Sequence, residues 1–98
     1  MPQLSLEFRG RAFKVLKDLP REIQLEINTD LDILCLGRFS ELNIRKIQCT
    51  ERGYRIRVDR WRILFNLFSK ERKIDVVDIF LKKSDSDYQK RKSLLKAR

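Results

Sequence analysis

The sequence predicts a small α+β domain: an antiparallel β-meander with an N-terminal strand, a two-helix hairpin packed on one face, and a short C-terminal helix. Three observations lead there. Apolar residues recur at every second position in residues 3–9 and through residues 54–67 on either side of Asp59-Arg60, the period of strands with one buried face. Residues 21–36 carry Ile23, Ile27, Leu31 and Leu34 at four-four-three spacing, one apolar stripe on a helix. The chain has 98 residues, 42% of them hydrophobic, enough for one modest core, so residues 1–98 are read as a single domain.

Taken in order, Leu4, Leu6 and Phe8 alternate with polar residues and make a first strand, broken by Gly10. Residues 11–19 read as a short helix burying Ala12, Phe13 and Leu16, ended by the proline ahead. Pro20 suits the first turn of the second helix, residues 21–36, and Gly37 its C-terminal stop. Residues 38–43 are expected to be a loop and residues 44–49 a short strand. Residues 54–58 and Trp61–Phe68 then form a β-hairpin around the two-residue loop Asp59-Arg60. Aspartate suits the first loop position, whereas arginine in place of glycine at the second leaves the turn type open. Residues 69–72 are a polar turn. Lys73–Leu81 is dense in Ile, Val and Phe and reads as a buried central strand. Its register is open: one loop length turns Asp78 into the core, and a slip of one residue turns it to the opposite face. A buried unpaired aspartate is costly, which favours the slip that lets Asp78 meet arginine. Residues 84–98 read as a helix with a thin apolar stripe of Tyr88, Leu94 and Leu95, started by a capping box of Ser84 with Asp87 in place of glutamate.

A two-residue hairpin loop fixes the pairing. Val58 meets Trp61, Arg57 lies opposite Arg62, and Ile56 opposite Ile63. Tyr54, Ile56, Val58, Trp61, Ile63, Phe65 and Leu67 share the core face, and Arg55, Arg57 and Arg62 share the other. Like charges directly opposite cost roughly 0.2–1 kcal/mol per pair. Such an arrangement points to a site for a polyanion; the plainer alternative is a solvated face with acids arriving from elsewhere.

Charge is unevenly spread. The net charge is +9, with 8 Lys/Arg against 7 Asp/Glu in residues 1–50 and 15 against 7 in residues 51–98. The second half therefore has the electrostatic footprint of a nucleic-acid binder, or of a protein held by an acidic partner. The chain has no histidine, which excludes histidine acid–base catalysis, His metal sites and Ser-His triads. The three glycines, 10, 37 and 53, stand apart and form no phosphate loop. Cys35 and Cys49 lack metal-ligand spacing and are read as structural residues. With no run of 18 apolar residues and no charged-then-apolar leader, the expectation is a cytosolic chain with no membrane partner.

The element order, together with Gly53-Tyr-Arg-Ile-Arg-Val58, Trp61-Arg-Ile-Leu-Phe65, Phe80-Leu-Lys-Lys-Ser84 leading to Tyr88, and Asp18-Leu-Pro-Arg-Glu22, resembles the RelE/ParE toxin superfamily of bacterial toxin–antitoxin systems. The resemblance covers nearly the whole chain. It implies a toxin neutralised by a cognate antitoxin, with no cofactor or metal. RelE-like members cut messenger RNA in the ribosomal A site; ParE-like members inhibit DNA gyrase without nuclease chemistry, and that is the alternative function. Matched by motif, the catalytic positions are Arg55, Arg57, Arg62, Lys82 (or Lys83) and Tyr88. Arginine at 55 and 57, where the family has lysine, keeps phosphate binding but is a poor proton carrier, because guanidinium does not deprotonate. Trp61, where many members have tyrosine, is expected in the core.

RNA can be cut without metal when its own 2′-hydroxyl attacks the adjacent phosphorus. Arginine forks suit the phosphate and the developing negative charge; Tyr88, Lys82 and Lys83 are the candidates for moving protons. Lys83, Lys90, Arg91 and Lys92 are expected to contact ribosomal RNA or message, or else to form a solvated helix face. A simple RNA-binding module is disfavoured, since most aromatics fall on the core face and none is left to stack bases.

Overall fold

The computed structural model describes residues 3–84 and 86–96, the side chains of Lys90 and Lys96 excepted. Its frame is a five-stranded sheet in the order β1-β5-β4-β3-β2: β1 is Ser5–Phe8, β2 Ile44–Lys46, β3 Gly53–Val58, β4 Trp61–Phe68 and β5 Lys73–Leu81. Strands β2 to β5 form an antiparallel meander, and β1 returns parallel to β5. The predicted register is observed, with Val58 paired to Trp61, Arg57 to Arg62 and Ile56 to Ile63. Asp59 supplies the left-handed backbone of the turn, at φ 57°, which explains why no glycine is needed there.

Helices α1 (Gly10–Asp18) and α2 (Arg21–Cys35) cover one face. Ala12, Leu16, Leu19, Ile27, Leu31 and Leu34 pack there on Ile56, Val58, Ile63, Phe65, Ile74, Val76 and Ile79. The end of α2 is a Schellman motif: Gly37 takes φ 78°, its N–H bonds the Leu34 carbonyl at 2.9 Å, and the Arg38 N–H bonds that of Ile33 at 3.2 Å. A single 3-10 turn, Phe39–Glu41, occupies the expected loop. Among the described residues, no helix is long and apolar enough to cross a membrane.

Some expectations are corrected. Phe13 is 51% exposed: the buried stripe of α1 runs through Ala12 and Leu16, and Phe13 packs edge-on against Phe8 at 6.2 Å instead. The strand expected over residues 44–49 stops at Lys46, because Cys49 turns left-handed (φ 64°). Cys49 is exposed and Cys35 half-buried, so neither is a fully buried core residue. Helix α3 spans Ser86–Lys96; Asp85, Ala97 and Arg98, which the sequence places in the helix, lie outside the described residues.

Candidate active site on the arginine face

The second face of the sheet is built around an irregularity in β5. Leu64 pairs with Asp78 and Phe65 with Val76, so Val77 is an extra residue opposite the bond between them. The bulge changes the alternation of β5: Ile74, Val76 and Ile79 face the first core, while Val77, Asp78 and Phe80 join Leu64 on the other side. Asp78 therefore takes the slipped register. It is only 2% exposed, and its arginine partners come from the helices rather than the hairpin. Arg91 Nε lies 2.6 Å from Oδ2, and Arg11 Nε 3.3 Å from Oδ1.

On this face a second small core forms from Ile47, Leu64, Val77, Phe80 and Leu95, with Tyr88 and Leu94 half-buried against it. Helix α3 supplies Tyr88, Leu94 and Leu95, the thin stripe read from the sequence. Its start is held by Asp87, whose Oδ2 accepts from the N–H groups of Lys83 at 2.6 Å and Ser84 at 2.9 Å, the reciprocal half of a capping box. Gly53 makes room for it: a Cβ there would meet the Leu95 Cδ1 at 2.9 Å and the Thr50 Oγ1 at 2.8 Å.

Docking α3 across the meander brings Tyr88 onto the basic strands. Arg62 Nε donates to the Tyr88 hydroxyl oxygen at 3.0 Å, while its Nη1 donates to the Asp59 and Trp61 carbonyls at 3.0 and 2.9 Å. The guanidinium is thus aimed by the hairpin turn. Phe80 packs edge-on against the Tyr88 ring at 5.8 Å, and Lys82 Nζ lies over that ring at 5.8 Å. Beside them a groove of about 530 Å³ is lined by Arg45, Lys46, Ile47, Gln48, Arg55, Tyr88, Gln89 and Lys92. None of these lining residues is acidic. The volume falls in the ordinary range of small-ligand sites, about 300–1,000 Å³.

Arg55 is a half-buried cation of the groove. Burial first, then the like charges of Arg62, Arg45 and Arg57, draws its pKa below the ordinary arginine value, with Tyr88 acting in the opposite sense. Its Nη1 donates to the Asn43 carbonyl at 3.2 Å. A guanidinium in that position stays charged and is best satisfied by an anion. Arg45 is the member of this cluster that the sequence reading missed. It stands directly opposite Arg55 across the β2–β3 ladder; a basic residue in a three-residue edge strand had no periodic signal to mark it.

The other expected residues separate. Arg57 is exposed and lines a different groove, which Glu26, Asp30 and Asp59 also line. Lys83 is exposed and Lys92 reaches the basic groove. Arg91, expected among the RNA-contacting cations, is instead bound inward: beyond Asp78, its Nη1 donates to the Asp87 carbonyl at 3.0 Å and its guanidinium stacks on Phe80 at 3.9 Å. The Lys90 side chain lies outside the described residues.

No protein-family model matches the chain, and no curated protein matches its sequence. Solved structures do match it. A chain of the archaeal RelE–RelB complex from Pyrococcus horikoshii OT3 superposes with a TM-score of 0.71 at 18% identity, over 81% of this chain and 94% of that one. A chain of the RelB–RelE antitoxin–toxin complex from Methanococcus jannaschii gives 0.67 at 27% identity, over 83% and 95%. A doubly substituted E. coli toxin RelE in the free state gives 0.72 at 17% identity, over 89% and 92%. The chain has the fold of the RelE-like toxin superfamily, the family its sequence resembles.

Proposed function

We propose that the chain is a RelE-like toxin: a ribosome-dependent endoribonuclease that cuts message in the A site, inhibits translation in the cytosol and is neutralised by a cognate antitoxin. The observation that carries this reading is the Arg62–Tyr88 contact at 3.0 Å beside a basic groove with no acidic lining residue. A phenol and several guanidinium groups on one face match the needs of a phosphodiester about to be attacked. The similar chains from complexes of RelE with RelB support an antitoxin as the partner.

In the proposed reaction the 2′-oxygen bonds to the adjacent phosphorus, the bond to the 5′-oxygen breaks, and the products are a 2′,3′-cyclic phosphate and a free 5′-hydroxyl. Arg55 and Arg62 bind the phosphate and stabilise the phosphorane, with Arg45 and Lys92 extending the cationic track. Tyr88 Oη is the proton-transfer group. Acting as the phenolate, whose charge the Arg62 N–H aimed at it stabilises, that oxygen takes the proton of the attacking 2′-hydroxyl. Lys82, beside the Tyr88 ring, is placed to serve the leaving oxygen. Arg57, which lies outside the basic groove, contributes field more than contact. Lys83 and Lys90 are left for ribosomal phosphates, and Arg91 leaves that set because Asp78 holds it. The weak proton carriers are offset by orientation on the ribosome, where positioning can supply up to about 7–11 kcal/mol.

Translation of a reporter message in vitro, followed by primer extension, tests the reading. Cuts confined to translated message are expected. Intact message together with blocked DNA supercoiling would instead make the chain a gyrase inhibitor.

A further inference from the structure

Helix α3 has few apolar anchors: Leu95 is buried, and Tyr88 and Leu94 are half-buried. What it has besides them is a half-buried charge paired with a buried carboxylate of β5. Arg91 stands one turn after Tyr88 on the same side of the helix, and both side chains close on one ring. The Tyr88 ring meets the edge of Phe80 at 5.8 Å, and the Arg91 guanidinium lies over its face at 3.9 Å. Beneath them the Asp78 carboxylate meets Arg91 Nε at 2.6 Å.

We propose that Asp78 is a positioning residue of the site, which fixes the seat of α3 through Arg91 and so holds the Tyr88 hydroxyl against Arg62. The catalytic consequence rests on the reading of Tyr88 as the proton-transfer group. The β5 bulge at Val77 is the device that delivers Asp78 to this face; without it the strand's alternation would carry the carboxylate into the first core. The tether is also separable from the rest of the fold. Asp78 Oδ1 accepts from the Ile79 N–H at 2.9 Å and faces Arg11 of α1 at 3.3 Å. Loss of Arg91 therefore leaves the carboxylate with a counter-charge and a hydrogen bond, and removes from the sheet–α3 contact the ion pair and the stack on Phe80. The two other acceptors near the link, the Asp87 carboxylate and the Asp87 backbone carbonyl, belong to α3 itself and move with it.

The chain has two tyrosines, which makes the test direct. Tyr54 stacks on Phe65 at 5.7 Å in the first core and serves as the internal reference. Protein labelled with 3-fluorotyrosine is examined by fluorine NMR as wild type, Arg91→Met and Arg91→Lys. In Arg91→Met the Tyr88 resonance is expected to move toward that of free fluorotyrosine while Tyr54 stays in place, and Arg91→Lys is expected to restore it in part. On programmed ribosomes Arg91→Met should slow single-turnover cleavage by about 10²-fold, the scale of a small misplacement of a reacting group. The double variant with Tyr88→Phe should be no slower than Tyr88→Phe alone, because both changes remove one function. An unmoved Tyr88 resonance overturns the proposal. So does joint movement of both resonances, which would make the pair a prop of the whole fold, and so do additive losses in the double variant. If Tyr88 moves as expected but the wild type cuts no message, the tether stands and the nuclease reading fails.

Discussion

Toward α1 and α2 the sheet presents Ile56, Val58, Ile63, Phe65, Ile74, Val76 and Ile79, and the helices answer with aliphatic side chains. Toward α3 it presents Arg55 and Arg62 around an apolar patch centred on Leu64, Val77 and Phe80. Among the described residues the buried polar side chains of the sheet, Asn66, Asp75 and Asp78, all lie on this second side. The first face follows the rule that buried surface should be apolar. The second sets like charges opposite each other at Arg57–Arg62 and Arg45–Arg55, and buries carboxylates that need partners. The proposed function assigns stability to one side of the sheet and reactivity to the other, and substitutions should separate the two.

The largest effect is expected on the first face. Phe65→Ala removes a fully buried ring and should cost about 3–5 kcal/mol, a large share of the roughly 5–15 kcal/mol that holds a domain of this kind. Urea denaturation followed by far-UV circular dichroism measures it. A loss below about 1 kcal/mol would mean that the first face is not where the stability resides.

On the second face the same size of change should appear in rate instead. Arg62→Ala removes the N–H aimed at Tyr88 and a phosphate ligand, and should lower cleavage by about 10²–10³-fold. Its stability cost should be small, since losing the backbone hydrogen bonds is offset by relief of the opposed Arg57, worth about 0.2–1 kcal/mol. Growth arrest on induction, with circular dichroism as the check on folding, reads both. A folded variant that arrests growth as the wild type does would remove Arg62 from the site.

The same contrast decides what the sequence could reveal. Period-two alternation disclosed the first face residue by residue, because every member of Tyr54, Ile56, Val58, Trp61, Ile63, Phe65 and Leu67 obeys one physical demand. The hairpin register, and with it the Arg57–Arg62 opposition, followed from the loop length alone. The second face obeys several demands at once and was legible only in part. Nothing in Lys73–Leu81 marks Val77 as a bulge, since an extra residue in a strand is defined by its partner and not by its own chemistry. The need of Asp78 for arginine could be read; which arginine could not, because Arg11 and Arg91 come from distant elements. Arg91 looked like one more cation on a basic helix, and Arg45, inside the short strand expected over residues 44–49, had nothing in its own chemistry to single it out.

A smaller effect sharpens the comparison at the edge of α2. Asp30 has its pKa raised above the ordinary 3.8, first by burial and then by the neighbouring Glu26. The native state thus holds this proton more tightly than the unfolded chain does. Its contribution to stability is complete below the unfolded value and is lost as pH rises through the higher native one. At neutral pH the charged side chain weakens the fold slightly, so Asp30→Asn should raise the urea midpoint near neutrality and leave it nearly unchanged in acid. A gain as large in acid as at neutral pH would contradict that origin. Cleavage should not change, because Asp30 lies outside the basic groove.

The central claim is that α3 completes an active site by bringing Tyr88 to Arg62. Single-turnover cleavage by Tyr88→Phe on programmed ribosomes, measured beside ribosome affinity, tests it most directly. The account predicts a rate lower by about 10²-fold or more with affinity unchanged, because one hydroxyl adds little to binding dominated by phosphate contacts. Equal loss of rate and affinity would make Tyr88 a docking residue, and an unchanged rate would remove it from the chemistry.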